Sequence, residues 1–263
     1  MRILYLSMSR EQYSSNYFPF LRRYVDEVAS SGTTVDLRGT RVGRIDSFRF
    51  FETLDWISIL DSAIDAELSG YDAVAIGNIL DPAMREARSM VDIPVLGLGE
   101  TSMLTACMMG STFSLVGVNP YFGGRFEENV TKYGLRERLA SIESMGLTPH
   151  ELDECFSDDE AKERAIAHFR VAARKGVERG AEVVIPAGGD IIVFLAEAHT
   201  YEMNRVPLVN GIVELIKMGE MAVKLKAITG RFTSKRLGYA APSGDFLERV
   251  RKFYGPDVYP GAK

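Results

Sequence analysis

The chain has 263 residues, a formal net charge of −5, 46% hydrophobic and 25% charged residues, a balance that excludes disordered, fibrous and membrane classes and allows a core that needs no staples. Its basic residues are scattered along helical stretches instead of gathered into a stripe, so no nucleic-acid partner is expected. Two cysteines, Cys107 and Cys155, and three histidines, His150, His168 and His199, have the spacing of neither a disulfide framework nor a metal site, which points to a reducing compartment and to no protein-built metal centre.

In chain order, strand-like apolar runs fall at residues 2 to 7, 34 to 38, 72 to 77, 113 to 118, 182 to 186 and 206 to 209. They alternate with amphipathic stretches of helical period, the pattern of a mainly parallel sheet covered by helices on both faces. No apolar run approaches the ~20 residues of a membrane span, and Met1 leads straight into RILYLSM, so a cytoplasmic protein with no membrane partner is expected. The stretch from Arg41 to Phe51 has the weakest pattern. After the strand DAVAIG, Asp81 and Pro82 read as an N-cap and a first-turn proline, which predicts that this strand ends at a helix N-terminus.

The TSMLTACMMG segment puts Cys107 mid-helix among apolar residues, where a free thiol is an inert small hydrophobe. Cys155 falls in an acidic, loop-like segment with no evident partner. A helix is predicted from Asp158 to about Glu178, opened by a Ser157/Glu160 capping box and striped by Ile166, Phe169, Ala173 and Val177. Glu197 and His199 share a predicted helix two residues apart and so form no dyad. The C-terminal FLERVRKFYG reads as a last short helix.

Residues 70 to 82, GYDAVAIGNILDP, align with residues 180 to 191, GAEVVIPAGGDI, pairing Gly70 with Gly180 and Asn78 with Gly188. Downstream, IPVLG at residues 93 to 97 is answered by VPLVNG at residues 206 to 211. A strand, turn, helix and strand repeated at nearly constant separation is what a duplicated α/β half leaves in sequence. With no linker between them the halves must interleave, and residues 1–97 plus 212–263 form one while 98–211 form the other. Ligands of open α/β sheets sit beyond the carboxyl ends of the strands, so the turns at Asn78 and Gly188 become opposing jaws. A helix N-terminus at each jaw favours an anionic or carbonyl-rich guest. Without a ligand, the same glycines and Asp-Pro describe tight strand-to-helix connections.

GYDAVAIGNILDPAMREAR, IPVLGLGETSMLTACMMGSTFSLVGV, YGL at residues 133 to 135, GAEVVIPAGGD and VPLVNGIVELIKMGEMAV together resemble the aspartate/glutamate/hydantoin racemase superfamily, and most of all its hydantoin racemase-like branch. The resemblance implies an α/β fold of two pseudo-symmetric Rossmann/flavodoxin-like halves with mainly parallel sheets and an interdomain cleft. It further implies a cofactor-independent enzyme, a homo-oligomer, and two facing cysteines that move a proton at an acidic carbon. In this sequence those two positions are Asn78 and Gly188, and neither an amide nor a glycine can exchange a proton near neutral pH.

The remaining acids are then the catalytic candidates. Asp190, beside Gly188 and Gly189, reads either as a general base or acid or as the cap of a helix from Ile191. Asp81 has the same two readings. Glu100 matches a Glu common in the family and reads as catalytic or as a cap. For substrate binding, Asn78 can donate to a carbonyl or oxyanion, while Gly188 and Gly189 widen the pocket and bare backbone N–H groups. Ser7 and Ser9 stand where the family places polar binding residues, and Asn210 either binds or caps the helix from Gly211. The expected substrate is a small carboxylate, hydantoin-like or related carbonyl compound, turned over by racemisation or isomerisation. A lyase, decarboxylase or hydrolase using Asp/Glu, and a binding protein without catalysis, are the alternatives.

Overall fold

A computed structural model of the protein describes residues 1–10, 16–41 and 48–255. In order these form β1 (Arg2–Ser7), α1 (Tyr17–Val28), β2 (Thr34–Gly39), α2 (Arg49–Leu68), β3 (Ala73–Ile76), α3 (Met84–Met90), β4 (Val95–Gly97), α4 (Leu98–Met109) and β5 (Phe113–Gly117). There follow α5 (Gly123–Lys132), β6 (Leu139–Ser144), α6 (Pro149–Glu154), α7 (Asp159–Glu178), β7 (Val183–Pro186), α8 (Gly189–Glu197), β8 (Glu202–Met203), β9 (Val206–Pro207), α9 (Gly211–Thr229) and α10 (Gly244–Tyr254). Of the weakly patterned stretch from Arg41 to Phe51, residues 42–47 lie outside the described residues.

Two parallel sheets result, ordered β2-β1-β3-β4 and β6-β5-β7. A parallel bridge from Leu208 to Val184 adds the VPLV segment beside β7, just as β4 lies beside β3. The second sheet therefore repeats the order of the first, and the strand pairs aligned in sequence occupy equivalent places. VPLV does not form the full strand expected over residues 206 to 209. Val206 and Pro207 pair antiparallel with Glu202 and Met203 before Leu208 reaches the sheet.

The inner strands read as unbroken apolar runs because helices cover both their faces, whereas the edge strands β2 and β6 are only partly buried. Strand alternation divides the core of the first sheet. Ile3, Tyr5, Ala73 and Ala75 point into the larger cluster, which runs through to the second sheet, while Leu4, Leu6, Val74 and Ile76 pack beneath α2 and α3. Helices α4 and α9 touch each other, α4 reaching strands of both sheets and α9 those of the first. They approach closely where a Cβ on Gly211 would stand 2.3 Å from Ser102 Oγ.

The helix from residue 159 to 178 is present, but its cap is Asp158, which accepts the Glu160 and Ala161 N–H groups. The Ser157 hydroxyl donates instead to the Glu154 carbonyl. The C-terminal helix forms as α10. Among the described residues no helix is long and apolar enough to cross a membrane.

Candidate functional site

A cavity opens where β1, β3 and β7 end, with about 560 Å³ of empty space when the open solvent at its mouth is counted. Its polar lining comes from Ser7 and Ser9 at the end of β1, Asn78 after β3, and Gly188, Gly189 and Asp190 at the start of α8. Both jaws thus border one space. They come close: a Cβ on Gly189 would lie 3.9 Å from the Gly77 carbonyl oxygen and 2.7 Å from the Tyr17 hydroxyl. Met8, Ile79, Leu80, Val118, Phe122 and Ile191 make the rest of the wall largely apolar. Among the described lining residues Asp190 is the only carboxylate, and none is Arg, Lys or His.

Asp190 is buried in the first turn of α8, and its Oδ1 accepts the Ile191 N–H at 3.1 Å. The cap position belongs to Gly188, two residues before the expected cap Asp190. Gly188 has φ of 178°, extended backbone that any residue adopts. Its lack of a side chain has a different effect, because a Cβ there would stand 2.9 Å from Asp190 Oδ1. The carboxylate occupies room that a side chain at 188 would contest. Asn78 Oδ1 accepts the Leu80 N–H at 2.8 Å, an Asx-type turn that fixes the amide at the cavity edge. Ser7 and Ser9 are both buried, and Ser7 Oγ accepts the Ser9 N–H at 3.4 Å.

Asp81, Glu100 and Asn210 are placed elsewhere, which corrects their grouping with the jaws. Asp81 is fully enclosed, and no helix starts at Pro82: Asp81 and Ala83 take left-handed φ of 50° and 52°, and α3 begins only at Met84. The Asp81 carboxylate instead accepts the Gly99 N–H at 2.8 Å and the Glu100 N–H at 2.6 Å, so it caps α4, a helix some 18 residues away. Tyr133 donates its hydroxyl to the same carboxylate at 2.5 Å. Burial pushes the Asp81 carboxyl up to about 7 against the downward pull of those three donors. Glu100 is paired side-on with Arg88, whose Nη1 lies 3.1 Å from Oε1 and whose Nη2 contacts Oε2. Asn210 caps α9 by accepting the Val213 N–H at 3.3 Å and donates to the Tyr24 hydroxyl at 2.6 Å.

Cys155 lies in the turn between α6 and α7, as the C-cap of α6, and is wholly buried, with its thiol donating to the Glu151 carbonyl at 3.2 Å. Burial and the nearby Asp190 charge push that thiol up to about 11. Among the described residues no group of three or more His, Cys, Asp or Glu side chains could hold a metal ion. Tyr17 and Phe122, which line the cavity, carry no signal in sequence: both sit in apolar runs indistinguishable from core.

Two like-ordered parallel sheets, with a small-molecule cavity between the carboxyl ends of their inner strands, define a pseudo-symmetric two-lobed α/β class. The model of the Asp/Glu/hydantoin racemase family matches residues 51–219, and the chain belongs to that family of enzymes. It is 30% identical over 200 residues to a hydantoin racemase of Pseudomonas sp. (strain NS671), covering 75% of each chain. A hydantoin racemase of Paenarthrobacter aurescens is 27% identical over 228 residues, covering 83% of this chain and 92% of its own. The allantoin racemase structure from Pseudomonas fluorescens shares the fold with a TM-score of 0.76 at 24% identity, over 93% of this chain and 98% of its own.

Proposed function

We propose that the protein is a cofactor-independent enzyme acting on a small carboxylate, hydantoin-like or related carbonyl compound, with Asp190 as its one proton carrier in place of a thiol pair. The observation that carries this reading is the lining: one carboxylate on the second jaw faces an amide on the first, and neither jaw holds a cysteine. Asp190 would take or return a proton at the carbon next to a carbonyl. The enolate oxygen so formed would meet the Asn78 amide and first-turn N–H groups of α8 other than that of Ile191, which donates to Asp190. A largely apolar wall with a few polar groups suits a small, carbonyl-rich guest. Residues 1–97 plus 212–263 and residues 98–211 are the two halves that hold it, in a cytoplasmic homo-oligomer.

A second reading, a lyase or decarboxylase, draws on the same asymmetry. A single carrier opposite an amide suits delivery of a proton to one face of an enolate. Both readings are tested by incubating the protein in D2O with 5-substituted hydantoins and substituted malonates. Deuterium wash-in at unchanged skeleton supports the isomerase, loss of carbon dioxide supports the decarboxylase, and ligand-induced stabilisation with neither would reduce the site to a binder.

A further inference from the structure

The first jaw is held in place from the opposite half of the molecule. Helix α5 lies between β5 and β6 of the second sheet, yet its C-terminal end reaches the turn that carries Asn78. Asn129 Nδ2 donates to the Leu80 carbonyl at 2.8 Å, and the Tyr133 hydroxyl donates to Asp81. Both side chains grip a turn whose backbone is strained, with left-handed Asp81 and Ala83. On its other side the Asp81 carboxylate fills the space over Gly97 and Gly99: a Cβ on Gly97 would stand 2.3 Å from Asp81 Oδ1, and one on Gly99 would stand 2.2 Å from the Ile79 carbonyl oxygen. Arg85 adds a third tie across the halves, donating to the Lys132 carbonyl at 3.1 Å.

We infer that Asp81, Tyr133 and Asn129 are positioning residues, a latch between the halves that fixes the turn bearing Asn78 against the second jaw. Left-handed backbone persists in non-glycine residues only where surrounding contacts over-determine it, and here those contacts come from α4 on one side and α5 on the other. The carboxylate that resembles a catalytic acid in sequence is consumed by this task, since all its described donors are internal. Among charged groups, Glu100 and Arg88 stand beside it, the latter neutralising the former.

The decisive variant is Tyr133→Phe, which removes one hydroxyl and keeps the ring. Amide hydrogen exchange over residues 78–84 of the free protein should speed up by about tenfold, the scale of one lost hydrogen bond to a charged group, with exchange in α7 unchanged. The Asp81 carboxyl, followed by carbon-13 resonance, should titrate at higher pH, because a donor that favours its ionised form is gone. A uniform rise in exchange across the chain, or an unmoved Asp81 titration, overturns the latch. Asn129→Asp, which loses the donor to Leu80, should reproduce the exchange effect without needing Tyr133. The inference concerns the jaw on which the proposed function also rests, but these readings use no substrate. They stand or fall on their own, whereas a drop in kcat at constant KM in Tyr133→Phe would test both together.

Discussion

The corner after β7 runs directly into α8 at Gly189, while the corner after β3 spends the residues from Gly77 to Ala83 before α3 begins. At the second corner the helix N-terminus borders the cavity with its first-turn donors. At the first, the nearest helix N-terminus is that of α4, and Asp81 has filled it. Two copies of one supersecondary unit have therefore diverged: one brings a helix N-terminus to the cavity wall, the other has a helix N-terminus capped by a carboxylate from the preceding corner. The lesson is that a duplicated strand-to-helix turn need not give a symmetric site.

The comparison breaks most sharply at Asp190. If the second corner alone carries the proton, Asp190→Asn should lower kcat by roughly 10²- to 10⁴-fold, the range of general acid-base catalysis, with cooperative unfolding kept. Glu100→Gln, which disturbs the Arg88 pair, should leave the chemical step intact while costing stability. Steady-state rates beside denaturant curves separate the two, and equal loss of turnover in both would return the catalytic role to the first corner.

The next effect is on stability and pH. The Asp81 carboxyl moves from 3.8 when unfolded to about 7 when folded, and Glu214, also through burial, from 4.5 to about 7. For both groups the folded state holds its proton more tightly, so their contribution to stability is full below about pH 4 and is lost as pH rises toward 7. For Asp81 the ceiling is roughly 4 kcal/mol, at 1.36 kcal/mol per pH unit. Glu220 runs the other way: although burial raises it, the Ser30 donors hold it below 4.5, so its contribution is lost only as pH falls below that value. Chemical denaturation between pH 4.5 and 8 should show the unfolding free energy falling, and Asp81→Asn should flatten the slope. A slope unchanged by that substitution would mean the carboxyl is ionised throughout.

Much of this was legible beforehand, and the residues show why. Parallel strands buried on both faces leave continuous apolar runs, so β1, β3, β5 and β7 could be read within a residue or two, and the repeat placed Asn78 and Gly188 on one cavity. Edge strand β6, LASIES, hides because its partly polar face lacks that run. The capping rules failed in an instructive way at Asp81. They look for donors in the next turn of sequence, whereas any helix N–H within reach can donate to a carboxylate, including one brought by the loop after a neighbouring strand. Likewise Tyr17 reaches the cavity only because α1 packs across the halves, with its ring 5.3 Å from that of Phe156.

Packing at the two corners gives a smaller contrast. Gly99→Ala pushes a methyl against the Ile79 backbone carbonyl, which cannot swing aside, and should destabilise by about 1–3 kcal/mol. Gly188→Ala meets side-chain atoms, Asp190 Oδ1 at 2.9 Å and Ile191 Cδ1 at 3.3 Å, instead of backbone, at a backbone angle alanine accepts. Its stability should change by less than about 0.5 kcal/mol, while turnover falls because the carboxylate has been displaced. Equal stability losses at both glycines would show the second corner to be as tightly packed as the first.

The smallest expected effect concerns the thiol behind Asp190. With Cys155 pushed up to about 11 by burial and by the Asp190 charge, only about one molecule in 10⁴ carries a thiolate at pH 7. Iodoacetamide should therefore modify half-exposed Cys107 first and leave Cys155 intact for as long as the fold holds. In Asp190→Asn the carboxylate no longer opposes ionisation, and Cys155 labelling should quicken slightly, measured by mass spectrometry of the Leu152–Ala161 peptide. A rate that does not move would place the Asp190 charge too far from the sulfur to act on it, and would shift that carboxylate toward the solvent side of the cavity. Faster labelling would fix it between the buried thiol and the jaw, where a proton carrier has to stand.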